Sequence, residues 1–149
     1  MSTEQRVVSA RRTVRAAPET VFELIADPSR QPEWDGNDNL AESAPRQRVR
    51  AVGDTFDTVL TNGGVRRNHI VEFTEGRLIA WRPSEVDAPS PGHLWRWEIE
   101  PADGGVTVVH TYDWSDLNDE KRQVRARATT ADKLLASVDR LAALAERER

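Results

Sequence analysis

The chain has 149 residues, 21 basic and 25 acidic side chains for a net charge of −4, and no cysteine. That length suits one domain over residues 1–149 with a continuous core and room for a cavity. The absence of thiols excludes disulfide frameworks, thiolate zinc sites and cysteine nucleophiles, and the net acidity opposes a phosphate backbone, so no nucleic-acid partner is expected.

The first twenty residues mix charged and apolar types and include four arginines, without the apolar core of a signal peptide. No later run reaches membrane-span length, so a cytoplasmic chain with no membrane insertion is expected. Basic character comes from arginine, with Lys121 and Lys133 the lysines, as GC-rich bacterial coding produces.

Val7 to Arg15 mixes β-branched and polar residues and predicts a first strand. Pro18 suits a first helical turn and Glu19 its positive end, with Val21, Leu24 and Ile25 as the buried stripe. Asp27-Pro28 ends that helix, because the residue before proline is driven out of the helical region, and Asp27 caps a second short helix toward Trp34. After Gly36 the pattern is that of six antiparallel strands, punctuated by Asn62-Gly63-Gly64, Glu75-Gly76 and Asp103-Gly104-Gly105. Pro83 to Gly92 carries three prolines and reads as a longer loop, either a lid or a solvated connector. From Asp119 one long helix is predicted, with Val124, Ala128, Ala131, Leu135, Val138, Ala142 and Ala145 along one face. Arg125, Lys133, Asp132, Asp139, Arg140 and Arg147 fall largely elsewhere, as a mixed-charge solvent face would.

This order of elements resembles the START-like (SRPBCC) superfamily and its polyketide cyclase/dehydrase branch. Val14-Arg15-Ala16-Ala17-Pro18-Glu19-Thr20-Val21-Phe22 and Asp27-Pro28-Ser29-Arg30-Gln31-Pro32-Glu33-Trp34 look like its opening strand, helix pair and closing tryptophan. Trp97-Glu98-Ile99-Glu100-Pro101 with Gly104-Gly105-Val106-Thr107-Val108 looks like its penultimate hairpin. The resemblance runs from about Val7 to Leu144 and implies an α+β helix-grip fold: a curved antiparallel sheet of seven strands, two short helices and a long C-terminal helix. Its motifs are structural, and its members include lipid carriers, cyclases, hormone receptors and chaperone activators, so it implies a cavity more firmly than a reaction.

A two-residue turn at Asp103-Gly104 pairs residues whose numbers sum to 207: Ile99 with Val108, Trp97 with His110, Trp95 with Tyr112 and His93 with Trp114. These eight share one face, and its rings and imidazoles have the composition of a ligand pocket; the alternative is that they fill a solid core. Leu135 and Val138 lie on the helix stripe opposite, where small alanines leave room either for a guest or for the rings themselves. A two-residue turn at Asn62-Gly63 would pair Phe56 with His69 and Leu60 with Val65, adding Phe56 and His69 to the pocket and leaving Ile70, Ile79 and Trp81 on the opposite face. A turn running through Gly64 would shift that register. Trp34 either closes one end of the cavity or anchors packing.

No Gly-x-Ser-x-Gly elbow, Walker sequence or dinucleotide-binding glycine pattern is present. His69, His93 and His110 are spaced too widely for a helical ligand pair, so neither metal nor cofactor is expected. Three functions follow: a carrier or binder of a small hydrophobic or aromatic molecule; a cyclase or dehydratase using His110 and Tyr112 as acid and base; or a protein-interaction module acting through the outer sheet face or charged helix, such as a chaperone activator or toxin-system component. An exposed apolar patch at Ile70, Ile79 and Trp81 would point to a dimer.

Overall fold

A computed structural model describes residues 5–43 and 46–148; residues 1–4 and 149, the ends of the span read as one unit, lie outside it. The elements run β1 (Val7–Val14), α1 (Pro18–Ala26), a 3-10 turn (Pro28–Arg30), α2 (Gln31–Trp34), β2 (Leu40–Ser43), β3 (Thr55–Leu60), β4 (Val65–Thr74), β5 (Leu78–Ser84), β6 (Leu94–Ala102), β7 (Gly105–Asp113), α3 (Glu120–Arg127) and α4 (Ala131–Glu148). The seven strands form one antiparallel sheet in the order β1-β7-β6-β5-β4-β3-β2, and α1 and α4 pack on its inner face. This is the α+β helix-grip arrangement.

Local chemistry explains the starts and stops. Pro18 opens α1, whose Val21, Phe22, Leu24 and Ile25 are buried. The Asp27 carboxylate accepts the Ser29 backbone N–H at 3.1 Å, capping the turn that follows. Gly36 lets the chain after α2 lie against α4: a Cβ there would sit 2.3 Å from the Ala136 carbonyl carbon, and its N–H donates to Ser137 Oγ at 3.0 Å.

The last hairpin has the register summing to 207, with Trp97 opposite His110 and Trp95 opposite Tyr112. The earlier hairpin does not have the register that Asn62-Gly63 alone would give. Val59 pairs with Val65 and Leu60 N–H bonds Gly64 O, so the loop is Thr61-Asn62-Gly63, with Gly63 at φ +90°. The one-residue shift puts Phe56 opposite Asn68 and sends His69 to the outer face. It also brings Ile70, Ile79 and Trp81 inward and buries them.

The C-terminal helix is two helices. α3 ends at Arg127, and α4 begins after Ala128-Thr129-Thr130. Thr129 Oγ1 donates back to Arg125 O at 3.0 Å, the side-chain competition by which threonine interrupts a helix. Val124 therefore leaves the buried stripe and is 66% exposed. On α4 the buried face is Leu134, Ser137, Val138, Leu141, Ala142, Leu144 and Ala145.

Candidate functional site

The sheet and α4 seal against each other at one end and separate at the other. Toward the C-terminal half of α4, Leu141, Ala142 and Ala145 close on Val14, Ile99, Val106 and Val108 in a continuous core. Toward its first turns, a cavity of about 610 Å³ remains, within the range of small-molecule sites. The solid core and the open cavity thus occupy different halves of one sandwich.

Strands β5, β6 and β7 supply the cavity floor. Their inward positions are Trp81 and Pro83, then Trp95 and Trp97, then His110 and Tyr112. Cross-strand pairing stacks the His110 ring on Trp97, with centroids 3.7 Å apart and planes 15° apart, and Trp95 lies 4.3 Å from Tyr112. Trp34 meets Trp97 edge-on at 5.1 Å and closes one end; its Nε1–H donates to Leu24 O at 2.7 Å, which fixes the ring. The opposite wall adds polar groups from β3 and β4: Asn68 Nδ2 donates to Phe56 O at 3.2 Å and lies 3.4 Å from Thr58 Oγ1.

Burial holds the side chains of His110, His93 and Tyr112 neutral. His110 Nδ1 lies 3.1 Å from Arg96 O, and since a carbonyl only accepts, Nδ1 carries the proton and Nε2 is the free acceptor. Burial pushes its pKa down to about 3, against the raising effect of that hydrogen bond. His93, 6.1 Å from the Tyr112 ring, is lowered to about 4, first by burial and then by Arg122, Arg66, Arg82 and Arg125. Burial raises the Tyr112 hydroxyl to about 12, so it remains a phenol. The floor therefore offers ring faces, a phenol O–H donor and an imidazole acceptor, none of them charged at neutral pH. Two buried nitrogens, His93 Nδ1 and Trp97 Nε1, have no hydrogen-bond partner among the described residues.

Of the residues expected at the site, the structure gathers Trp34, His93, Trp95, Trp97, His110 and Tyr112 around the cavity. Phe56 lies behind it, edge-on to Trp81 at 5.3 Å. His69 is on the outer face, where its Nε2 lies 2.9 Å from Ser84 Oγ; the shifted hairpin register is the reason. Trp114 is carried away because the β6–β7 ladder ends at Leu94–Asp113 and Trp114 N–H bonds Arg6 O instead. Its ring packs with Leu117, Ala126 and Leu134, beneath the Arg6 and Arg127 guanidinium groups. Val138 is fully buried in the solid core, with Leu135 packed against it, so neither lines the cavity. Arg125 and Lys133, which resemble solvent-face charges in the sequence, line it instead, with Arg66, Gln31, Asn37 and Asn39. Among the described residues no group of three His, Asp or Glu side chains is placed to hold a metal ion, and no helix is long and apolar enough to cross a membrane.

Known proteins share this architecture. The family model for polyketide cyclase / dehydrase and lipid transport matches residues 5–146. The uncharacterized protein Rv0088 of Mycobacterium tuberculosis is 31% identical over 104 residues, 68% of this chain and 44% of that protein. The chain therefore spans less than half the length of the curated relatives it matches. Protein MLL2253 from Mesorhizobium loti has a similar structure, with a TM-score of 0.72 and 18% identity over 97% of this chain and 99% of that one. DynU16, a protein in the dynemicin biosynthetic locus, gives a TM-score of 0.68 at 17% identity over 98% of this chain and 49% of its own. At these identities the structural likenesses carry the fold alone. A helix-grip sheet closed by α4, matched by a family model over almost its full length, makes the chain a member of the polyketide cyclase / dehydrase and lipid transport family.

Proposed function

We propose that the chain, as one unit over residues 1–149, is a non-catalytic binder of a small hydrophobic or aromatic molecule, held between the sheet and the start of α4. The observation that carries this is the cavity of about 610 Å³ floored by the stacked Trp97–His110 and Trp95–Tyr112 pairs. Ring faces give a planar guest dispersion and stacking contacts, while His110 Nε2 and the Tyr112 hydroxyl orient it with one acceptor and one donor.

The family description also supports a cyclase or dehydratase reading. Proton transfer at neutral pH is most efficient from groups that titrate near neutrality, and His110 at about 3 and Tyr112 at about 12 stand far from it on opposite sides. They suit hydrogen bonding better than acid–base work. A dimer built on an apolar outer sheet gains no support, because Ile70, Ile79 and Trp81 face inward and the outer face carries pairs such as Arg96–Glu72 and Arg67–Asp57.

The test is titration with the neutral dye N-phenyl-1-naphthylamine, read by energy transfer from tryptophan, on the native protein and on Ala128→Phe. Ala128 is exposed at the cavity rim, so the larger ring obstructs entry without entering the core. Binding by the native protein, weakened about tenfold or more in Ala128→Phe, is expected. Undiminished binding by the variant would move the site elsewhere, and no binding by the native protein would end the proposal.

A further inference from the structure

The cavity mouth carries more positive than negative charge. Arg66 from β4, Arg125 from α3 and Lys133 from the first turn of α4 converge on it from three separate elements. Asp35 supplies the carboxylate of the described lining, and both its oxygens are occupied by backbone donors: Oδ1 by Asn37 N–H at 3.2 Å, Oδ2 by Asn39 and Leu40 N–H at 2.6 and 2.8 Å. None of the three cations forms an ion pair with a described residue; Arg66 donates to the Val65 carbonyl. Elsewhere Arg12, Arg48, Arg67, Arg96 and Arg140 each hold a carboxylate. The Arg50 and Arg77 side chains hold none among the described residues either, so what distinguishes the mouth is that three such cations from separate elements meet at one aromatic cavity in a chain of net charge −4. The field reaches inward, since Arg66 and Arg125 both act on His93.

We infer that the guest is an amphipathic anion: an apolar or aromatic body against Trp95, Trp97 and Tyr112, and a carboxylate, sulfonate or phosphate group at the mouth between Arg66, Arg125 and Lys133. This rests on the binding proposal above and adds the charge of the ligand. Hydrogen bonds to an ionised acceptor are roughly twice as strong as neutral ones, while the wet rim screens part of that gain.

Two dyes with closely related ring systems isolate the charge: 1-anilinonaphthalene-8-sulfonate and neutral N-phenyl-1-naphthylamine. On the native protein the sulfonate should bind about tenfold tighter or more at low salt, and raising NaCl about tenfold should weaken the sulfonate alone. In the triple variant Arg66→Gln, Arg125→Gln, Lys133→Gln, the two affinities should come within about twofold of each other. 1-Naphthoate should displace the sulfonate dye, and inorganic phosphate should not. Equal, salt-independent binding of the two dyes to the native protein would overturn the anion inference and leave the binding proposal standing, as would a triple variant that keeps the tenfold preference. Displacement by phosphate alone would overturn the amphipathic ligand in favour of a free-phosphate site. Binding of neither dye would fail the binding proposal itself, and this inference with it.

Discussion

Replacing His110 with asparagine tests whether the cavity floor is as dry as its geometry implies. In the folded chain burial holds the His110 imidazole at about 3, against an ordinary value of 6.5. Above 6.5 neither the folded nor the unfolded chain holds the proton, and His110 contributes no pH dependence. Below it the unfolded chain takes up the proton and the folded chain does not, so stability falls as pH falls, through a window running from 6.5 down to about 3. Integrated from about pH 7 to about pH 5, this costs the native protein about 2 kcal/mol. His110→Asn removes the titrating group and keeps an amide N–H donor toward Arg96 O. His93 is present in both proteins, so its effect cancels. Urea unfolding followed by far-ultraviolet circular dichroism at the two pH values gives the comparison: the native protein should lose about 2 kcal/mol more than the variant. Equal losses would refute the assignment of His110 as a buried neutral imidazole.

Three substitutions elsewhere test the packing that frames the cavity. Leu141→Ala, in the fully buried half of α4, should cost about 2–5 kcal/mol in urea unfolding through lost burial and the void left behind. Gly36→Ala should cost about 1–3 kcal/mol in the same assay, because its Cβ would lie 2.3 Å from one α4 backbone atom and 2.4 Å from another. Asp57→Asn removes the charge and one of the two acceptors that Arg67 uses at 3.0 and 3.1 Å, but both side chains are more than a third exposed, so the midpoint should move by less than about 1 kcal/mol equivalent.

The parts of this fold legible in the sequence are those where one local rule leaves a single answer. Asp103-Gly104 admits one two-residue turn, and with it come the facing pairs Trp97–His110 and Trp95–Tyr112 that floor the cavity. Asn62-Gly63-Gly64 does not, because either glycine tolerates the left-handed backbone a turn requires; Gly63 takes it at φ +90°, and the shift of one residue exchanges His69 for Asn68 on the inner face. The α3–α4 break was hidden because Val124, Ala128 and Ala131 keep helical spacing across it, while the signal that ends α3 lies in Thr129 and Thr130. The charged rim was hidden for a different reason. Arg125 and Lys133 have the helix positions of ordinary solvent-facing charges, and only the assembled sandwich shows that the surface beside them is the mouth of a cavity.

Native mass spectrometry of the freshly purified protein, followed by denaturation and identification of whatever is released, tests the central claim most directly. A stoichiometric small-molecule adduct with an apolar or aromatic body, lost on denaturation and excluded by Ala128→Phe, is the predicted result. A clean mass for the polypeptide alone, in a protein that also takes up neither dye, would contradict it.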